Sequence, residues 1–330
     1  MAITADTKIL TLDYWKPASK LEVGDYVFDQ TGNIVQVKMA QAYQGIQCYE
    51  VMFNDYLTVT GDAMLCLPVE TAKYRSRLQS YKSKLQFRRP LKPLTAEELR
   101  DTPLLNKRNR KTISVPTAHP LQLPHKDLPV PPFLFGLWFF ARRSTGRLAA
   151  APGTSDFVHE KFRDHGYKVI PGSLLTTGER DFSIEPSISR QLVPNIPKNI
   201  PNNYLLASPE QRQELLSGIM CSKSRQYNKK RDTFRFSSRN YDTTRRVQLL
   251  AESIGCKTQL ISDAHKKDYT VFFKSRLPLI PNQFSPPVKI QYGRRYVTKV
   301  SPIPAQLCIH IETTALDNTI LVGEGFIPTC

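Results

Sequence analysis

The chain has 330 residues, 40% hydrophobic and 23% charged. Single cores stop growing near ~250–300 residues, so two or more domains are expected, and the composition excludes a disordered tail. No apolar run approaches the ~18 residues of a membrane helix, and the start, MAITADTKIL, lacks the basic and apolar stretches of a secretory signal. The chain is therefore expected to have no membrane partner and not to be secreted. Six cysteines (Cys48, Cys66, Cys221, Cys256, Cys308 and Cys330) show no CxxC or CxxH spacing. This argues against a zinc module and a dense disulfide framework.

Charge is unevenly placed. The net value is +17 from 46 basic and 29 acidic residues. Residues 1–69 carry 4 basic and 8 acidic groups, residues 70–129 carry 14 and 5, residues 130–280 carry 24 and 13, and residues 281–330 carry 4 and 3. A near-neutral pair of ends around a strongly basic middle reads as an inserted module with a polyanion partner. A solvated basic surface is the simpler alternative.

In chain order, alternation of apolar and polar residues predicts strands at 8–13, 25–29, 34–37 and 49–53, with turns at Gly24-Asp25 and Thr31-Gly32-Asn33. Residues 70–92 read as a basic loop or irregular helix. Thr95 with Glu98 gives a helix start with a capping box. The stretch 116–132 is proline-rich and linker-like. Helices are predicted from Pro132, from Asp156 to a stop at Gly166, and from Ser208 with Pro209 in the first turn. Another spans Thr243 to Ile254 and stops at Gly255. Strands are predicted at 233–237 and 269–273. The middle looks like an approximate internal duplication, and the last fifty residues return to strands.

This order resembles an intein interrupted by a homing endonuclease of the LAGLIDADG family. The first splicing block is matched by residues 2–11 with Leu21-Glu-Val-Gly-Asp-Tyr-Val27. The second is matched by Leu57-Thr-Val-Thr60-Gly-Asp62-Ala63. The last two are matched by Cys308-Ile-His-Ile-Glu312 and residues 319–329. Residues 132–142 and 215–224 resemble the two signature endonuclease helices. The resemblance implies a mixed fold. An all-β horseshoe Hint (Hedgehog/intein) domain, residues 1–115 and 281–330, is interrupted by an α/β pseudo-symmetric endonuclease-like domain, residues 116–280. It further implies that Ala2 and Thr329 lie on neighbouring strands near Thr60 and Ala63.

Splicing proceeds by acyl transfer from a first-residue nucleophile. Here that position is Ala2. The second block uses a histidine three residues after Thr60 to activate the junction amide, and that position is Ala63. Thr60 and Asp62 remain to hold the amide. The usual terminal His-Asn is absent after Thr329; Cys330 is either the first downstream residue or a replacement for the histidine. In some inteins a cysteine at the place of Cys308 is the nucleophile, but those relatives carry a tryptophan near Leu65 that is missing here. A buried strand thiol is the other reading of Cys308. Splicing is expected to be disabled.

The endonuclease family ends each signature helix in an aspartate that holds Mg²⁺. The positions here are Ala141 and Lys223, so the nuclease is expected to be inactive and to bind no metal. Splicing itself needs no cofactor. Arg142, Arg143, Arg225, Lys229, Lys230, Arg231, Arg235 and Arg239 lie where the family places DNA-facing strands. The expected partners are flanking host-protein (extein) sequences and, weakly, duplex DNA. The chain is expected to be a monomer that resides in the cytoplasm or wherever its host does. A non-catalytic DNA-binding protein on the same scaffold and a Hedgehog-type autoprocessing domain are the alternatives.

Overall fold

The computed structural model describes residues 2–45, 47–71, 92–141, 147–176, 178–184, 199–222, 225–228, 230–263, 268–275, 277–281 and 293–330. The chain forms two compact units, one of Met1–Gln122 with Gln291–Cys330 and one of Leu123–Ile290. The first begins with strands β1 (Ala2–Thr4), β2 (Lys8–Leu10), β3 (Trp15–Pro17), β4 (Tyr26–Phe28), β5 (Ile34–Gln44), β6 (Cys48–Phe53), β7 (Thr58–Asp62), β8 (Cys66–Thr71) and β9 (Lys92–Thr95). Helix α1 (Ala96–Asp101) and β10 (Ile113–Pro116) follow. The second unit contains α2 (Pro132–Ala141), β11 (Leu148–Ala150), α3 (Ser155–Asp164), β12 (Val169–Leu174), β13 (Arg180–Ile184), α4 (Asn202–Leu205) and α5 (Pro209–Met220). It continues with β14 (Arg225–Asn228), β15 (Thr233–Ser238), α6 (Tyr241–Ser253), β16 (Lys257–Asp263) and β17 (Asp268–Lys274). The first unit resumes with β18 (Arg294–Ile303), β19 (Leu307–Thr313), β20 (Ile320–Val322) and β21 (Ile327–Thr329).

The first unit is built on a sheet of order β4-β5-β19-β1-β7-β6-β18-β10-β8-β9 and a smaller one of order β21-β20-β2-β3. Period-two burial explains its strands. Tyr49, Val51 and Phe53 of β6 and Ile309 and Ile311 of β19 enter one core with Ile3, Ile9 and Val59. The first strand is central, because the returning β19 pairs with one of its edges and β7 with the other. Helix α1 carries the expected capping box of Thr95 and Glu98. The proline-rich stretch stays with this unit as far as Gln122. Thr117 N donates to Gly293 O at 2.8 Å, and Gln122 N donates to Gly32 O at 2.7 Å. Gly32 has φ +81°, and a side chain there would collide with the Pro120 carbonyl. The basic stretch read as a loop or helix lies at 72–91 outside the described residues; Thr71 and Lys92 on either side end and begin strands.

The second unit is two half-repeats. Helices α2 and α5 cross at a pair of glycines. A methyl on Gly136 would overlap Leu215 O and approach Ile219 N to 3.1 Å; one on Gly218 would overlap Phe133 O and approach Leu137 N to 2.9 Å. The contacts are reciprocal, Phe133 matching Leu215, Gly136 matching Gly218 and Leu137 matching Ile219. The same offset carries Ala141 onto Lys223. After each helix comes an antiparallel sheet, of order β11-β13-β12 in the first half and β14-β15-β17-β16 in the second. Helix α3 ends near Gly166, whose φ is +73°, and α6 is opened by the Asn240 side chain and followed by Gly255 at φ +83°. Phe162, Phe182, Phe234, Phe236 and Phe273 fill the core around the crossing. Among the described residues no helix is long and apolar enough to cross a membrane.

Candidate functional site

The central position of β1 assembles one end of the first unit. Ala2 pairs with His310, Ile3 with Ile309 and Thr4 with Cys308, while Ile3 also faces Gly61. Since Ile3 and Ile309 enter the core, alternate residues share the opposite face: Ala2 and Thr4, Cys308 and His310, Thr60 and Asp62. Gly61 permits the closeness, because a methyl there would overlap the Ala2 carbonyl oxygen. The hydroxyls of Thr4 and Thr60 lie 2.6 Å apart. Tyr43 donates its hydroxyl to the Asp62 carboxylate, whose other oxygen accepts Met64 N–H at 2.9 Å. Burial and the bond to Asp62 push the Tyr43 hydroxyl above its ordinary pKa. Ala63 is partly buried against the core.

Cys308 is fully buried, with its sulfur 3.8 Å from that of Cys48. Cys48 pairs across the sheet with Asp62. Gly45 makes room for both sulfurs: a methyl there would sit 3.0 Å from Cys48 Sγ and 3.1 Å from Cys308 Sγ. Burial, the Cys48 contact and the Asp62 charge push the Cys308 thiol up to about 12.

The end of the chain arrives from the smaller sheet. Thr329 is buried, pairs with Ile320 and donates its hydroxyl to Ile320 O at 3.2 Å. Cys330 N donates to Cys66 O at 2.9 Å, and the two sulfurs are 2.7 Å apart. The expectation of neighbouring strands for Ala2 and Thr329 is corrected. They belong to separate sheets, because β20 and β21 fold back as their own hairpin through Gly323 and Phe326, both at positive φ. Both ends nevertheless reach the two strands joined by residues 63–65, Ala2 at Gly61 of β7 and Cys330 at Cys66, the first residue of β8. Tyr43, Gly45, Cys48, Gly61 and Cys66 were not singled out by sequence reasoning. Only their alternation along β5 to β8 hints at a shared face.

In the second unit, Ala141 is fully buried at the end of α2 and offers a methyl where Mg²⁺ requires an oxygen. Among the described residues no three His, Cys, Asp or Glu side chains gather to hold a metal. Of the two metal positions the resemblance implies, the described one, Ala141, carries no side-chain oxygen that could hold the ion. Arg142, Arg143, Lys223 and Lys229 lie outside the described residues. Arg225 opens β14, and Lys230 and Arg231 are exposed in the turn to β15. Arg235 projects from the exposed face of β15, 6.0 Å from the Phe272 ring, with Nε donating to Ser237 Oγ at 3.2 Å. Arg239 stands 4.0 Å from Asp268.

No protein-family model matches the chain. Over 230 residues it is 28% identical to a replicative DNA helicase DnaB of Mycobacterium intracellulare, covering 66% of this chain and 37% of the helicase. The chain thus spans little more than a third of that relative. Among solved structures it is similar to the MchDnaB-1 intein, at 28% identity and a TM-score of 0.20 over 21% of this chain and 53% of that one. It is similar to the gp41-1 intein at 16% identity and a TM-score of 0.23, over 34% and 73%. It is also similar to I-DmoI, solved in complex with DNA and Mn, at 11% identity and a TM-score of 0.32, over 44% and 89%. The chain is thus similar to a DnaB helicase and to DnaB-type inteins over part of its length, and its ordered splicing blocks and glycine-crossed helix pair resemble those of an intein carrying a LAGLIDADG endonuclease-like domain.

Proposed function

We propose that the chain is a protein-splicing element whose acyl-transfer centre lacks the groups that start the reaction. The observation that carries this is the approach of Ala2 to Gly61 and of Cys330 to Cys66, on either side of Ala63 and close in sequence to Thr60 and Asp62. The scaffold that would bring two host segments together is complete, but Ala2 supplies no nucleophile and Ala63 no proton. Thr60 is engaged with Thr4, and Asp62 with Tyr43. Cys308 does not replace Ala2 as the starting nucleophile, because a buried thiol with its pKa pushed up to about 12 stays protonated at neutral pH. The partners proposed are the flanking host segments, and likeness to a DnaB helicase supports a host of that kind. The chain acts as a monomer in the compartment of its host.

The inserted module takes up no Mg²⁺ and cuts no DNA, since Ala141 gives no ligand. Its exposed basic residues around β14 and β15 bind duplex DNA weakly through phosphates.

The test places the chain between two tags and measures ligated and cleaved products. The expected result is no ligated product from the chain as it stands. Ala2→Cys with Ala63→His and a terminal His-Asn after Thr329 restores ligation, whereas any one change alone gives at most a trace, because the steps are coupled. Efficient ligation by the unchanged chain would overturn the reading.

A further inference from the structure

Two thiol pairs flank the segment after Gly61, and they differ in a way that matters chemically. Cys48 and Cys308 are fully buried with sulfurs 3.8 Å apart. Cys66 and Cys330 are half-buried, with sulfurs 2.7 Å apart and a backbone bond from Cys330 N to Cys66 O at 2.9 Å. The remaining two, Cys221 and Cys256, are buried in the other unit. Cys66 and Cys330 are thus the thiols of this chain that a dissolved oxidant can reach, and they already touch. The Cys330 hydrogen bond also holds the Cys66 thiol below its ordinary pKa, which favours the attacking thiolate.

We propose that Cys66 and Cys330 form a reversible disulfide that pins β21 to the start of β8. The oxidant is a low-molecular-weight disulfide such as oxidised glutathione. The Cys66 thiolate attacks one of its sulfurs, breaking that S–S bond and releasing one thiolate, which takes up a proton. Cys330, deprotonated, then attacks the Cys66 sulfur of the mixed disulfide and expels the second thiol. Two cysteine thiols are oxidised, one disulfide is reduced to two thiols, and a dithiol reductant reverses the exchange. The bond closes a loop from residue 66 to residue 330 and needs no splicing activity. Withdrawal of the Cys330 thiol from acyl transfer is a consequence that rests on the proposed function; the bond itself does not.

The experiment treats the purified 330-residue chain with oxidised glutathione and maps peptides without reduction. The expected product joins Cys66 to Cys330 and forms at least tenfold faster than any Cys48–Cys308 link. Dithiothreitol removes it, Cys66→Ser and Cys330→Ser each abolish it, and Cys48→Ser leaves its rate unchanged. Hydrogen exchange at Ile327 to Cys330 slows in the oxidised form. Separate glutathione adducts that never resolve to a cross-link would overturn the proposal, as would an equally fast Cys48–Cys308 link or unchanged exchange in β21. None of these readouts depends on ligation of flanking tags, so failure of the splicing proposal is visible separately.

Discussion

Gly218→Ala tests the helix crossing on which the second unit depends. Gly218 lies inside α5, so alanine favours the helix by about 0.5–1 kcal/mol on conformational grounds alone. Against this, the new methyl overlaps Phe133 O and comes within 2.9 Å of both Phe133 C and Leu137 N. These are backbone atoms of α2, so no rotamer change relieves the clash, and the helices must separate. Parting them loosens the packing of Phe133 and Leu137 against Leu215 and Ile219. Overpacking of a close-packed site costs roughly 1–3 kcal/mol, and the upper half of that range applies when backbone is the obstacle. The net loss is about 2 kcal/mol. For a unit of this size each kcal/mol moves the midpoint by ~2–4 °C, so calorimetry should show its transition falling by roughly 4–8 °C. The matching Gly136→Ala should cost a similar amount, since Leu215 O obstructs it in the same way. A transition that stays in place or rises in both variants would show that propensity alone acts and that the helices do not meet at these glycines.

Breaking the buried ion pair of Asp55 and Arg295, 2.9 Å apart with both side chains at most 4% exposed, by Asp55→Ala should cost ~3–5 kcal/mol. Urea midpoints would measure this, and Asp55→Leu with Arg295→Met should recover much of the loss. The raised Cys308 pKa gives a pH effect. The unfolded thiol ionises near ~8.5 and the folded one at about 12, so between these values the unfolded state releases the proton first. Stability from this group is therefore constant at neutral pH and falls as pH climbs through that window. Cys308→Ser should flatten the decline, and an identical pH profile in the variant would refute the assignment. Reversing Lys230, Arg231 and Arg235 to Glu should weaken duplex binding and lower the salt slope by roughly one for each phosphate that is no longer neutralised. An unchanged slope would mean that these charges are only solvated.

Much of the architecture was legible because it rests on local rules. Alternation along 49–53 marks β6 whatever it pairs with, and Thr95 with Glu98 caps α1 using groups three residues apart. Gly166 and Gly255 stop helices by their own backbone freedom. The ordered blocks also carried the family resemblance and put Ala2, Ala63 and Ala141 at its chemical positions. Short segments without periodicity, such as β11 and β12, were missed because their strand state comes from partners distant in sequence. The linker-like stretch gave no sign that His119 and Gln122 bond to the turn between β4 and β5, for the same reason.

The sequence by itself therefore determined the charge boundary along the chain, and it puts alanine at 2, 63 and 141, the positions the resemblance makes chemical, since both follow from residue type and position. Only the tertiary structure decided that Cys308 lies against Cys48 under Gly45, that Asp62 accepts from Tyr43, and that Cys66 meets Cys330. Each of those pairs spans between 19 and 264 residues. Contacts of that range are set by sheet register and by the close approach that glycine permits, and neither is written in the spacing of the residues that meet.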